Sequence, residues 1–144
     1  MLNLKVHHIG YLVKKGQPAL DAFLALGYTP EEDWVRDTLR GIDICFIAKD
    51  GLRIELVCPY TGDSSVSGLL ARLKNSPYHI CYECSSIAGA LPQLRDAGYL
   101  PITGKDPAPA ISGRRVQFFL HPALGMIELV ETGQPDTIIP AAAR

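Results

Sequence analysis

The sequence predicts an α+β protein built from two tandem βαβββ modules, and three observations carry that prediction. Sliding the chain by 71 residues lays Val6–Pro30 on Pro77–Pro101 with eight of the 25 pairs identical: His8/His79, Ile9/Ile80, Tyr11/Tyr82, Ala19/Ala90, Leu20/Leu91, Gly27/Gly98, Tyr28/Tyr99 and Pro30/Pro101. The offset then grows to 73, where Ile54-Glu55-Leu56-Val57 falls on Ile127-Glu128-Leu129-Val130, as a two-residue difference in one loop requires. Each half also runs through one order of signals: a β-branched and aromatic stretch, a helical stripe closed by Gly, then short strand segments. An ordered set of this kind marks an internal duplication.

The elements follow in order. Leu4–Val13 has strand composition. In Pro18–Leu26 a proline stands where helices start, and Gly27 stands where a left-handed C-terminal cap belongs. Ala19, Leu20, Phe23, Leu24 and Leu26 recur at helical spacing and form the expected core-facing stripe. Trp34–Leu39, Ile42–Ala48 and Leu52–Val57 read as strands, with Lys49-Asp50-Gly51 carrying the Asp-Gly signal of a tight hairpin. Val66–Lys74 reads as a helix linking the halves, with Ser64 or Ser65 as its N-cap. In the second half Pro77–Cys84 is a strand, Ile87–Ala97 a helix ended by Gly98, and Leu100–Thr103, Arg114–Leu120 and Met126–Glu131 are strands. The prolines of Asp106–Gly113 predict a loop. The expected organisation is one domain over residues 1–135, with modules at 4–58 and 77–131, a linker helix at 64–75, and a loosely held tail at 132–144.

Composition narrows the function. At 144 residues the chain is long enough to bury a core without disulfides, and 47% apolar with 20% charged residues is a globular balance. The net charge of −1 offers no sequence-wide attraction to nucleic acid or to an anionic membrane. No apolar run reaches bilayer length, and the first residues lack a signal-peptide layout, so a cytoplasmic location is expected. Cys81 and Cys84 have metal-motif spacing, but positions i and i+3 of a strand face opposite sides. Cys45, Cys58, Cys81 and Cys84 are therefore expected to be reduced and structural.

The chemistry lies in the repeated His and Glu. His8 shares a strand face with Val6, Gly10 and Leu12, while Ile9, Tyr11 and Val13 face the helix. His79 alternates in the same sense against Ile80 and Tyr82, and Glu55 and Glu128 each stand between two aliphatics on a strand. All four polar groups then point away from the helix-covered side. Buried charge without a partner costs several kcal/mol, and two close carboxylates repel, so a cation is the natural occupant. Two imidazoles and two carboxylates suit Ni²⁺, Co²⁺ or Zn²⁺, and also Mn²⁺ or Fe²⁺, and suit Ca²⁺ poorly.

The chain resembles the vicinal oxygen chelate superfamily, which includes glyoxalase I and methylmalonyl-CoA epimerase. The residues that carry the resemblance are His7-His8-Ile9-Gly10, Arg53-Ile54-Glu55-Leu56-Val57, Pro77-Tyr78-His79-Ile80-Cys81 and Gly125–Val130. The resemblance covers residues 4–131. It implies paired modules whose sheets wrap around one divalent metal, with ligands at His8, Glu55, His79 and Glu128. His8 is preferred to His7 because His8 aligns with His79 in the repeat.

Within that superfamily Glu55 at the second ligand position argues against ring-cleaving dioxygenases and fosfomycin-modifying members. It resembles the His, Glu, His, Glu set of bacterial glyoxalase I, whereas Phe119–Pro122 followed by Gly125–Glu128 resembles the end of the epimerases. The resemblance thus implies a metal-dependent lyase or isomerase, glyoxalase I-like first and methylmalonyl-CoA epimerase-like as the alternative. A non-catalytic binding protein of this fold is the second alternative. The implied chemistry removes a proton α to a carbonyl, with Glu128 as principal base and Glu55 as second acid/base or ligand. Its substrate is a small thiol adduct or thioester. Arg114 and Arg115 are candidate contacts for an anionic thiol cofactor, with alternation allowing only one to face the site. Exposed sheet edges lead to the expectation of a homodimer.

Overall fold

The computed structural model describes residues 2–133. Among them are ten strands, three α-helices and one short 3-10 turn, so the protein is mixed α+β as expected. The chain divides into two compact units, one spanning His8–His79, the other the described part of Met1–His7 with Ile80–Arg144. Among the described residues no helix is long and apolar enough to cross a membrane. The tail expected from residue 132 lies, from residue 134 on, outside the described residues, and Thr132 donates its N–H to the Cys84 carbonyl at 2.9 Å.

In the His8–His79 unit the chain runs β1 (Lys5–Leu12), α1 (Gly16–Ala25), β2 (Thr29–Pro30), β3 (Val35–Asp37), β4 (Ile42–Lys49), β5 (Leu52–Pro59) and α2 (Ser67–Leu73), and it enters β6 (Ser76–Cys84). The sheet order is β2-β4-β5-β1, with β3 also on β4, and β1 runs parallel to β5. Gly10 lies opposite Glu55 and Ile9 opposite Ile54. The β4–β5 hairpin closes over Asp50 and Gly51 at φ +53° and +81°, the positive pair that a two-residue turn demands. The core lies under α1, where Val13, Leu20, Cys45, Ile47, Ile54 and Leu56 bury together with Tyr11 and Phe23 against them.

The other unit repeats the plan with α3 (Ile87–Asp96), β7 (Leu100–Pro101), β8 (Asp106–Ala108), β9 (Arg114–His121) and β10 (Gly125–Glu131). Its order is β6-β10-β9-β7, with β8 also on β9. Parallel pairing sets Cys81 opposite Glu128 and Ile80 opposite Ile127, the register of the first unit carried through the offsets of 71 and 73. Cys84, Ile87, Leu94, Phe119, Ile127 and Leu129 form the core under α3. Gly27 and Gly98 close the two equivalent helices at φ +96° and +95°, a backbone state that a side chain would strain.

Several expectations shift. Trp34–Leu39 shortens to β3, and a two-residue strand, β2, precedes it. Leu24 and Leu26 are 38% and 66% exposed, so the core-facing stripe of α1 is narrower than its periodicity implied. The N-cap of α2 is Val66 without a side-chain bond, because Ser64 Oγ instead accepts from the Val66 N–H at 3.3 Å and pairs with Ser67 Oγ. The proline-rich stretch expected to be a loop contains β8 and the 3-10 turn Pro109–Ile111. Proline is tolerated there because β8 pairs on one side only, with β9.

No disulfide links the four cysteines. Cys45, Cys81 and Cys84 are buried, and burial pushes the Cys84 thiol up to about 11. At pH 8 a thiol reagent should leave those three unmodified in the native chain and react with all four in guanidinium chloride; rapid native labelling of Cys84 would contradict the packing. Truncating Leu94, 1% exposed beneath β10, to Ala should cost about 2–5 kcal/mol in a urea titration, through lost burial and the cavity left behind.

Candidate metal centre

Sheet parity builds the centre. In a parallel pair, opposed residues share a face, so Glu55 on β5 stands on the side of Gly10 and, by alternation, of His8 on β1. Phe46 on β4 is the antiparallel partner of Glu55 and joins the same face. The alternate residues Ile54, Leu56, Cys45 and Ile47 go under α1. Apolar packing on one side thus commits the polar set to the other, as expected from the sequence. His7 alternates onto the opposite side of β1 and is half-buried, whereas His8 is 1% exposed.

Three ligand-type atoms converge. His8 Nε2 lies 3.2 Å from His79 Nε2, and Glu55 Oε1 lies 3.4 Å from the first and 3.8 Å from the second. The side chains of both histidines are fully buried, and that of Glu55 is 7% exposed. Two Nε2 atoms facing each other at this distance have room for one proton between them, so at least one presents a lone pair. A carboxylate beside them adds negative charge in a place where water does not screen it. The point equidistant from the three atoms is about 2.0 Å from each, which matches metal–imidazole and metal–carboxylate bond lengths. Donor chemistry and spacing both fit a divalent transition metal with open positions for further ligands.

The neighbours hold the imidazoles. Phe46, 5% exposed, meets the His8 ring edge to face at 5.2 Å, and Tyr78 meets the His79 ring at 4.4 Å. A Cβ placed on Gly10 would overlap Cε1 and Nδ1 of His79, so the bare backbone of β1 is what lets that ring lie over it. Sequence reasoning passed over Gly10, although alternation already put it on the face of His8. The β4–β5 register is what turns Phe46 toward the site.

Other candidates take their places. Glu128 is 4% exposed on β10, opposite Cys81 on β6 and Phe118 on β9. Alternation along β9 puts Arg114 on the face of Phe118 and Glu128, and Arg115 on the face of Phe119. Trp34 is half-buried and packs against the core under α1. His121 is structural: Nε2 donates to the Ala97 carbonyl at 3.0 Å and Nδ1 accepts from the Ala123 N–H at 3.0 Å, tying a turn to the end of α3.

Comparison with known proteins places this geometry. A family model described as Glyoxalase/Bleomycin resistance protein/Dioxygenase superfamily matches residues 7–118. An ethylmalonyl-CoA/methylmalonyl-CoA epimerase of Cereibacter sphaeroides is 32% identical over 83 residues, a stretch that covers 57% of this chain and 61% of that protein. The chain thus matches about three fifths of the length of this curated relative. Among solved structures, methylmalonyl-CoA epimerase from Mycobacterium tuberculosis superposes with a TM-score of 0.77 at 21% identity, over 96% of both chains. A variant of the Streptomyces coelicolor epimerase in complex with 2-nitronate-propionyl-CoA superposes with a TM-score of 0.75 at 21% identity, covering 91% of this chain and all of the other. At these identities the superpositions establish the fold.

Substituting Gly10→Ala should displace the His79 ring and weaken binding of Co²⁺ or Zn²⁺ by about 10–100-fold in a competition titration. An unchanged affinity would show that metal does not seat on this triad.

Proposed function

Because the chain belongs to the Glyoxalase/Bleomycin resistance protein/Dioxygenase superfamily, we propose that it is a divalent-metal-dependent isomerase of a CoA thioester, of the methylmalonyl-CoA epimerase type. The observation that carries the metal chemistry is the buried convergence of His8, His79 and Glu55. Of the two chemistries that the sequence left in competition, the epimerase relatives support the epimerase over glyoxalase I.

In this reading His8, Glu55 and His79 hold the metal, and Glu128 is its fourth protein ligand through the internal repeat. A divalent metal held by these residues would supply Lewis-acid polarisation of the substrate's carbonyl, which would acidify the adjacent carbon. The chain's own groups do the rest. Glu128 accepts the proton leaving that carbon, and a proton returned from the opposite face, with Glu55 as the second acid/base, inverts the centre. Burial of both carboxylates limits competing exchange with bulk water. Phe46 and Tyr78 keep the imidazoles in place, so that a shifting scaffold does not dissipate the geometry.

The test uses metal-loaded protein in D2O. With methylmalonyl-CoA, NMR should show exchange of the α-proton, and Glu128→Gln should slow it by at least about 100-fold. Wild-type exchange in that variant would remove Glu128 from the role of base. S-lactoyl thioester formation from methylglyoxal and thiols, without exchange on the CoA thioester, would restore the glyoxalase reading.

A further inference from the structure

The face of β9 and β10 that carries Glu128 is covered at one end and open at the other. Val130 of β10 and its partner Val116 of β9 are buried, and Glu128, two residues back along β10, is 4% exposed opposite the half-buried Phe118. Two residues further back, Met126 stands opposite Leu120, which is 45% exposed. Leu100 of β7 pairs with Leu120 on its other flank and is 65% exposed. Ile102, 45% exposed, donates its N–H to the Phe118 carbonyl at 3.0 Å and so stands beside Phe118 on the same face. Exposure therefore rises along the face from Val130 past Glu128 to Leu100. A molecule that reaches Glu128 along this face arrives over Leu120 and Met126.

Four apolar residues thus lie side by side at the open end, and the fold does not require them. In the His8–His79 unit the same places are held by Thr29, Glu31, Ala48 and Arg53: Thr29 and Arg53 both pair with Ala48, and Glu31 donates its N–H to the Phe46 carbonyl at 2.8 Å. There Arg53 Nε meets Glu31 Oε1 at 2.7 Å, an ion pair on the same frame. A single exposed leucine is ordinary, whereas a contiguous apolar patch marks a place where something apolar binds. Leaving such area in water is unfavourable, and a ligand that covers it gains affinity.

We propose that Leu100, Ile102, Leu120 and Met126 form the subsite for the thiol arm of the substrate, holding the methylenes that follow the thioester sulfur while Glu128 works on the reacting carbon. The inference rests on the thioester reading above and adds which residues select a long-armed thioester over a short one. Distance and direction both favour the arm over the alkyl group of the acyl part. The strip is centred two residues, about 7 Å, along the strands from Glu128. A methyl group lies one bond, about 1.5 Å, from the reacting carbon, whereas the second methylene of the arm lies four bonds away, at about 5–6 Å. The arm of CoA also ends in a large charged nucleotide, which is costly to take out of water. The arm therefore leaves by the exposed end, and the acyl group faces the covered end at Val116 and Val130.

The experiment compares two methylmalonyl thioesters that carry no nucleotide: the pantetheine thioester, and the S-methyl thioester, which keeps the acyl group and lacks the arm. Metal-loaded wild type should bind the first at least about tenfold more tightly in calorimetry, the scale of one apolar side chain covered. Leu120→Ser should erase most of that difference by weakening the pantetheine thioester alone, and Leu120→Met should keep it. Circular dichroism and sedimentation should show both variants folded and assembled as the wild type is. Equal weakening of both thioesters in Leu120→Ser, as for a residue touching the acyl group, or no weakening of either, would overturn the assignment. So would dissociation of an assembled wild type by this substitution, the mark of a surface that meets a second copy. Arm-dependent binding without α-exchange on methylmalonyl-CoA would sink the epimerase reading and leave the arm subsite standing. Exchange with arm-independent binding would do the reverse, and no binding of either thioester by the wild type would sink both.

Discussion

Everything else in the His8–His79 unit is arranged around two imidazoles and a carboxylate forced together out of water. With His8 and His79 Nε2 atoms 3.2 Å apart and Glu55 Oε1 within 3.8 Å of each, the desolvation cost is met only if a cation or a shared proton occupies the space. That constraint explains the absence of a side chain at Gly10 and the aromatic edges of Phe46 and Tyr78 against the rings. The alternate residues Cys45, Ile47, Ile54 and Leu56 of β4 and β5 go to the helix side and form the core there. A strand has two faces, and a buried polar set on one obliges the other to supply the hydrophobic core.

Duplication copied the frame, and divergence specialised it. The register repeats, with Gly10 opposite Glu55 and Cys81 opposite Glu128, and so does the positive φ at Gly27 and Gly98. These are backbone and pairing demands, which any copy must meet to fold. The departures are side chains with no such duty. Cys81 replaces Gly10, Met126 replaces Arg53, and Ile102 replaces Glu31. In a superfamily whose members share a frame and differ in chemistry, such departures are not demanded by the frame.

Much of the candidate site was legible before any coordinates. The alternation around His8 and Glu55 assigned both to one face, and the β1–β5 register agrees with it. The distance relations were not legible, because strand pairing, which no local pattern encodes, determines which residues become neighbours across a sheet. That Gly10 must stay bare is legible only once His79, 69 positions later, is seen to need its space. Arg53 and Glu31 lie 22 positions apart and carry no shared motif. Only the passage of β2, β4 and β5 side by side makes them a pair. The prolines of Asp106–Gly113 misled for a related reason: their cost in a strand depends on whether a second neighbour needs the missing N–H, and β8 has one neighbour only.

Sequence by itself determined the duplication, the plan of a strand, a helix and then further strands in each half, the face on which the His and Glu side chains stand, and the family. These follow from periodicity and repetition, which are local or additive properties of the chain. Tertiary structure decided the separation of the donor atoms, the emptiness that Gly10 must preserve, the orientation of Phe46, the packing of Trp34 against the core, and the pairing of Arg53 with Glu31. Each of these depends on residues distant in the chain arriving within a few ångströms of one another. That arrival is a consequence of packing the whole unit.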